Sequence, residues 1–338
     1  MQLSIFWKGV LGSMNVLITS ASRKVDLVKT FQRAVGEFGN GRVIAVDISP
    51  FSPALYVADS ARLVSRSDDP QFLDEILSLC RQEEIKVLVP TRDEELPVFA
   101  EAKGRFADAG VTIMVAEPEV IRTCQDKSLF SSFCASNGFE VPKVYKTPNE
   151  VGESDFPVFV RGCMSKGSRS AFRVDNARQL QYICDSVAGP LIQEFVISKE
   201  YTIDLFADFQ GRVISVVPRE RISVVSGESF ISRTTKSWDL INAAVKIAEE
   251  LKLIGHNTIQ CFFDGTVVKF IEVNPRFGGA AALGFAAGAC TPLFLLRICQ
   301  GEKLQPAIGN FQGDLAMLRY TQDMFRTLES LSEAKRLD

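Results

Sequence analysis

The stretch Val267-Val268-Lys269-Phe270-Ile271-Glu272-Val273-Asn274-Pro275-Arg276-Phe277-Gly278-Gly279 decides how this chain is read. Its β-branched first half predicts a strand over residues 267–273, and the two-residue period turns Glu272 and Asn274 to one face. Pro275 cannot donate to a central ladder, so Arg276 is expected just past the strand end. A carboxylate beside an amide oxygen suits a hard cation such as Mg²⁺, and a neighbouring arginine suits phosphate or carboxylate.

The preceding strand, 258–262, is joined through Phe263-Asp264-Gly265. A two-residue Asp-Gly turn pairs positions of unlike parity and turns Gln260 away from Glu272. A three-residue turn ending with Gly265 in the left-handed region pairs like parities and sets Gln260 beside Glu272. The second register is preferred because it gathers the polar groups. An ordinary half-buried hairpin with polar surface residues is the other reading of the same pattern.

At 338 residues the chain is expected to divide into two or three compact units. With 46% hydrophobic and 23% charged residues it has the composition of a soluble globular protein. A net charge of −3, with basic residues scattered, makes no case for nucleic acid or an anionic membrane as partner. Eight cysteines without a C-x-x-C pair predict reduced, mostly buried thiols and a cytoplasmic protein. Cys163 alone falls in a candidate ligand loop. The single histidine, His256, rules out histidine metal clusters and a Ser-His-Asp triad, and is expected to be structural. No run approaches the roughly 20 apolar residues of a membrane span. Residues 1–13, interrupted by Lys8, show no cleavage pattern and stand outside the fold pattern.

Apolar runs at 15–19, 43–47, 86–90 and 111–115 alternate with helical patterns at 25–34 and 72–80. This order predicts an N-terminal, doubly wound parallel-sheet unit over residues 14–118. The first turn lacks G-x-G-x-x-G, so Asp47 at the end of the second strand gives a dinucleotide site, and an NAD-dependent oxidoreductase, little support. The loop 91–96 lies at the carboxyl end of a parallel strand, where ligands bind in such sheets, although its acidic residues also suit a helix N-terminus.

Residues 119–137 read as one helix carrying Lys127. A strand at 156–161 ends in Arg161 and opens a loop containing Lys166, Gly167, Ser168 and Arg169. Gly and Ser there permit turns whose N–H groups cradle phosphate. A short strand at 190–196 carries Gln193, Glu194, Phe195 and Val196, with Glu200 just beyond. After a strand at 213–217 come Arg219, Arg221, Glu228 and Arg233, where an arginine can hold a carboxylate bidentately or join a surface ion pair. Residues 239–251 predict an amphipathic helix, and the Gly- and Ala-rich 278–289 close packing.

The run NTIQCFFDGTVVKFIEVNPRFGG (257–279) resembles the metal-binding end of the ATP-grasp superfamily. It is most similar to the large subunit of carbamoyl-phosphate synthase and its single-module relatives. The D-K-x-x-F pattern at 126–130 resembles the entry of the same module. The resemblance implies an α/β chain: the pre-ATP-grasp unit, then a two-part α+β ATP-grasp module over 119–338. Within the module it implies a lid of about 148–195 and a metal-binding part of about 196–338. It implies ATP with Mg²⁺, or Mn²⁺ in its place, held by Gln260, Glu272 and Asn274. Lys127, Arg161, Lys166, Gly167 and Ser168 would contact phosphate. Adenine would lie along Gln193, Glu194, Phe195 and Val196, and the ribose on Glu200. Asn274 and Arg276 would serve the chemistry, with Arg219, Arg221, Glu228 and Arg233 on the substrate side.

The activity so implied is a carboxylate–amine ligase working through an acyl phosphate on small molecules, with a homodimer as the assembly common among relatives. The alternatives are carbamoyl-phosphate-synthase-like phosphorylation of bicarbonate and carbamate, and an ATP-binding regulatory subunit without turnover. A single N-P-R stretch argues against the two-module synthase.

Overall fold

The structure, a computed structural model, describes residues 13–164 and 171–327. The chain divides into two compact units. The first holds residues 13–114 together with Pro292–Lys303 and residues 323–327; the second holds Val115–Thr291 and Leu304–Gln322. No helix among the described residues is long and apolar enough to cross a membrane.

The first unit runs β1 (Asn15–Thr19), α1 (Val25–Gly36), β2 (Val43–Asp47), β3 (Ser60–Leu63), α2 (Phe72–Gln82), β4 (Ile85–Pro90), α3 (Leu96–Glu101), α4 (Lys103–Ala107) and β5 (Thr112–Ile113). Its sheet has the order β3-β2-β1-β4-β5, every pair parallel. β1 and β2 are buried along their whole length, which is why they read as unbroken apolar runs. α1 seals the sheet with Leu27, Val28, Phe31, Ala34 and Val35. Phe99 sits between Phe72 and Phe106, with ring centroids 5.6 and 5.8 Å away. The expected strand at 111–115 forms a ladder only over Thr112–Ile113. β3 was not expected, because Ser-Ala-Arg-Leu is only half buried and carries no apolar run.

The second unit begins with α5 (Pro118–Gln125) and α6 (Lys127–Ser136). One continuous helix was expected; the break falls at Asp126, extended at φ −99° and ψ 110°. Its carboxylate accepts from the N–H groups of Ser128 at 2.8 Å and Leu129 at 3.1 Å, so it caps a new helix and makes Lys127 the first helical residue. β6 (Val144–Tyr145), β7 (Val158–Gly162), β8 (Ala171–Val174), α7 (Ala177–Ser186) and β9 (Pro190–Glu194) follow. Their antiparallel sheet, order β6-β9-β7-β8, packs around Val158, Val160, Val174, Leu180 and Ile192.

Next come β10 (Lys199–Ala207), β11 (Val213–Val225), β12 (Glu228–Thr234), α8 (Trp238–Leu251), β13 (Gly255–Phe263), β14 (Val268–Asn274), α9 (Ala282–Ala286), α10 (Thr291–Cys299) and β15 (Ala316–Leu318). Most of α10 belongs to the first unit. The six-stranded antiparallel sheet has the order β14-β13-β10-β11-β12-β15.

The β13–β14 hairpin brings Gln260 opposite Glu272, but not by the turn expected. Phe263 pairs with Val268, so residues 264–267 form a four-residue loop and the strands leave it in unlike parity. Asp264 Oδ1 organises that loop, accepting from the N–H groups of Thr266 at 2.8 Å and Val267 at 2.9 Å. Parity is corrected further along. Cys261 pairs with Phe270 and Gln260 with Glu272, so Ile271 is a bulged residue. The bulge, not the turn, places the amide beside the carboxylate.

Candidate functional site

Register carries one polar row across five of the six strands of the larger sheet. Glu272 pairs with Gln260, Gln260 with Thr202, Thr202 with Arg219, and Arg219 with Thr234. Asn274 pairs with Thr258 and Thr258 with Asp204 in the row on one side; Arg221 pairs with Ser232 on the other. Period-2 geometry puts all of these on a single face.

Three cationic or amide side chains reach Glu272 from outside that sheet or from the strand end. Lys127, at the start of α6, is 9% exposed and its Nζ lies 3.8 Å from Glu272 Oε2. Arg161, from β7 of the smaller sheet, brings Nη1 to 3.8 Å from the same oxygen. Asn274 Nδ2 donates to Glu272 Oε1 at 3.2 Å. Arg161 is locked by two further bonds: Nε donates to Gln193 Oε1 at 2.9 Å, and Nη2 to the carbonyl of the bulged Ile271 at 3.0 Å. Burial pushes the Arg161 guanidinium down from its ordinary value, while Glu272 acts in the opposite direction. Arg276 closes the group, its Nη2 3.4 Å from Asn274 Oδ1 and its N–H bonded to the Asn274 carbonyl at 2.8 Å.

Along the hinge segment, Gln193 is buried and its Nε2 has no hydrogen-bond partner among the described residues. Glu194 is drawn away from the cluster: its carboxylate accepts from Lys143 N–H at 3.1 Å and pairs with Lys269. Phe195 packs 6.5 Å from Phe159, with the Arg173 guanidinium 5.0 Å over its ring; Val196 is half-buried beside it. Glu200 is held by Arg221, Oε1 to Nη1 at 3.1 Å. Burial pushes the Glu200 carboxyl up and Arg221 opposes that shift. Lys166, Gly167, Ser168 and Arg169 lie outside the described residues.

Of the four residues expected on the substrate side, the register unites two and separates two. Arg219 and Arg221 share the polar face. Arg233 pairs with Glu220 and so points to the opposite face, where its Nη2 meets Glu220 Oε2 at 3.0 Å. Grouping Arg233 with the other two arginines is therefore corrected: an odd residue on β12 cannot share a face with its even neighbours. Glu228 sits at the far tip of β12, accepting from Arg319 Nη1 at 2.9 Å.

The sequence reading did not single out Thr202, Asp204 and Ser232. Asp204, 3% exposed, receives Arg219 Nε at 2.9 Å and Nη2 at 3.4 Å. The available signal was the alternation Glu200-x-Thr202-x-Asp204, polar at every second position of an apolar strand. His256 is structural as expected. It is fully buried, stacked on Phe277 at 4.3 Å, and its Nδ1 meets Thr291 Oγ1 at 2.9 Å. Burial pushes its imidazole down to about 4, so the ring is neutral at neutral pH. Among the described residues no three His, Cys, Asp or Glu side chains cluster closely enough to hold a metal alone.

Two family profiles match the chain: a PylC-like N-terminal domain over residues 16–114, and an ATP-grasp in the biosynthetic pathway with Ter operon over residues 188–322. Residues 188–322 therefore match an ATP-grasp family. The large chain of carbamoyl phosphate synthase from Thermoplasma volcanium is 24% identical over 245 residues, covering 65% of this chain and 24% of that relative. The chain thus spans about a quarter of the curated relative it matches. A biotin carboxylase β,γ-ATP complex from Campylobacter jejuni superposes with a TM-score of 0.72 at 16% identity, covering 89% of this chain and 74% of its own. The biotin carboxylase domain dimer of Hydrogenobacter thermophilus 2-oxoglutarate carboxylase, with MgADP, ADP and bicarbonate, has a TM-score of 0.70 at 17% identity, covering 90% and 74%. These similarities establish the ATP-grasp fold: a parallel-sheet unit followed by antiparallel sheets.

Proposed function

We propose that this chain is an ATP-dependent carboxylate–amine ligase acting on small molecules. The observation that carries the reading is the convergence of Lys127 and Arg161 on Glu272, beside Asn274 and opposite Gln260. The similarity to ATP-grasp proteins implies ATP with Mg²⁺, and the donor set fits. Glu272, Asn274 and Gln260 offer only oxygens, and a hard cation completes such a set with phosphate oxygens. Both cations stand 3.8 Å from Glu272 Oε2, beyond hydrogen-bond distance, so that oxygen retains capacity for a ligand. When bound, Mg²⁺ offsets charge developing on the transferred phosphoryl group.

The chain's own residues then have separable tasks. Asp126 presents Lys127 at a helix start toward phosphate, and Gln193 with the Ile271 carbonyl fixes Arg161 toward the same group. Phe195, Val196 and the backbone of residues 194–196 suit adenine, with the orphaned Gln193 Nε2 available to an acceptor. Arg276 would hold the acyl phosphate formed when the acid attacks the γ-phosphate, and an amine would then displace phosphate to give the amide. Glu200 would take the ribose hydroxyls while its Oε1 stays paired with Arg221. Lys166, Gly167 and Ser168 belong to the same reading as phosphate contacts. A homodimer, the assembly named for the Hydrogenobacter domain, is also proposed.

Bicarbonate phosphorylation is the second reading, favoured by the carbamoyl phosphate synthase relatives. The test is ADP release with Mg-ATP against amino acids, small carboxylates and bicarbonate, each with ammonia or amines, alongside Glu272→Ala. Turnover with one carboxylate–amine pair, lost in the variant, is expected. Release with bicarbonate alone selects the second reading, and no binding of Mg-ATP overturns both.

A further inference from the structure

The polar sheet face holds four buried groups that the chain itself leaves unmatched. Among the described residues, Thr202 Oγ1, Arg219 Nη1, Arg221 Nε and Ser232 Oγ have no hydrogen-bond partner. Thr202, Arg219 and Ser232 are 1%, 2% and 0% exposed. The four are cross-strand neighbours, Thr202 opposite Arg219 and Arg221 opposite Ser232, which sets their Cβ atoms about 5 Å apart. Leaving such a group unsatisfied is costly, and four in one patch indicate a missing partner rather than four separate defects.

The partner must be an acceptor, because a guanidinium can only donate. Its charge is bounded locally. Asp204 engages Arg219 and Glu200 engages Arg221, so two guanidiniums and two carboxylates balance. A phosphate dianion would add two buried charges, whereas a carboxylate adds one and still brings two acceptors. The pairing with Asp204 also orients the group. Nε and Nη2 of Arg219 are taken at 2.9 and 3.4 Å, and only Nη1 is left to point at a ligand.

This patch is not the place where an acid would react. Arg219 stands on β11, two strands from Gln260 on β13, about 10 Å across the sheet. If the proposed ligase reading holds, the reacting carboxylate lies at the Glu272–Arg276 end. The geometry points to a second, non-reacting carboxylate on one of the two substrates, anchored by Arg219, Arg221, Thr202 and Ser232. Asp204 is the positioning residue that leaves Arg219 Nη1 free for it. The ligase therefore takes either a dicarboxylic acid or an amino acid as the amine.

Calorimetry in the presence of Mg²⁺ and a non-hydrolysable ATP analogue tests this with matched probes: glutarate against butyrate, glycine against methylamine, and inorganic phosphate. One carboxylate-bearing probe is expected to bind about tenfold or more tightly than its partner, and which pair shows it names the substrate that carries the anchor. Arg219→Met and Ser232→Ala should each erase that preference while analogue affinity stays within about twofold. Ser232→Ala breaks no ion pair, so its result stands even if Arg219→Met fails to fold. Equal binding within both pairs, a preference that survives both variants, or phosphate binding lost in Arg219→Met in place of carboxylate binding overturns the inference. Failure of the analogue to bind wild type sinks the ligase reading instead, and a retained carboxylate preference then leaves the anchor standing.

Discussion

In the first unit Glu95 is 3% exposed, yet it receives the hydroxyls of Thr19 at 2.9 Å and of Ser20, and Asp47 receives the N–H groups of Ser22 and Ser49. Glu83 there pairs with Arg42 and Arg62. In the second unit Arg219, Thr202 and Ser232 are as deeply buried and are left with open valences. Every buried side-chain nitrogen or oxygen without a partner among the described residues lies between Gln193 and Asn257. The parallel sheet uses buried polarity to tie its own loops. The antiparallel sheet, which alternates its faces, stores polarity on one of them for something else to satisfy. Buried charge alone would not have separated the two; hydrogen-bond accounting does.

The contrast breaks most visibly at Glu272. Glu272→Ala should lower Mg-ATP-dependent ADP release by about a thousandfold, the scale of losing one well-placed electrostatic group, while the thermal midpoint changes little. Comparable turnover in the variant would put the chemistry elsewhere.

Two buried titrating groups, one in each unit, sharpen it with opposite pH slopes. His256 titrates at about 4 in the fold against 6.5 outside it. Its contribution is therefore fully present above pH 6.5 and is lost as pH falls toward 4, amounting to roughly 3 kcal/mol. His256→Gln should flatten that part of a urea-midpoint series taken from pH 7 to 4. Glu95 is pushed up by burial from 4.5, against the bonds from Ser20 and Thr19. Its contribution is fully present below pH 4.5 and is lost as pH rises through the folded value. Glu95→Leu should remove that slope and cost about 2 kcal/mol, since two hydroxyls lose their acceptor. Affinity for an ATP analogue should be unchanged, and a loss of affinity would show that the first unit's polar cluster serves the ligand.

The smallest effect is expected at Asp126. Asp126→Ala removes the cap of α6, worth about 1 kcal/mol, and loosens Lys127. KM for ATP should rise several-fold while kcat holds. An unchanged KM would mean that Lys127 does not depend on that helix start.

Much of this was legible in the chain. The apolar runs of β1 and β2 are visible as strands because burial on both faces leaves no room for polar residues. Glu272-x-Asn274 declares a shared face because strand geometry has a period of two. Arg233 and the Gln260 register were not settled that way. Parity depends on where a strand bulges, and no local pattern announces that Ile271 is the bulged residue. The break at Asp126 was equally hidden, because a helix-compatible sequence on either side masks a cap whose bonds form only when the backbone turns.

The sequence by itself determined the order of the elements and the parallel character of the first sheet, since these follow from period, while the residues proposed to bind a cation or phosphate came from side-chain chemistry together with the family resemblance. Only the tertiary structure decided which of those residues meet. Pairing across β14, β13, β10, β11 and β12 joins positions as far apart as Thr202 and Glu272, and cross-strand register is a long-range property. It also decided which buried donors are spent within the chain and which remain for a ligand, because satisfaction is a matter of distance and direction that no residue carries alone.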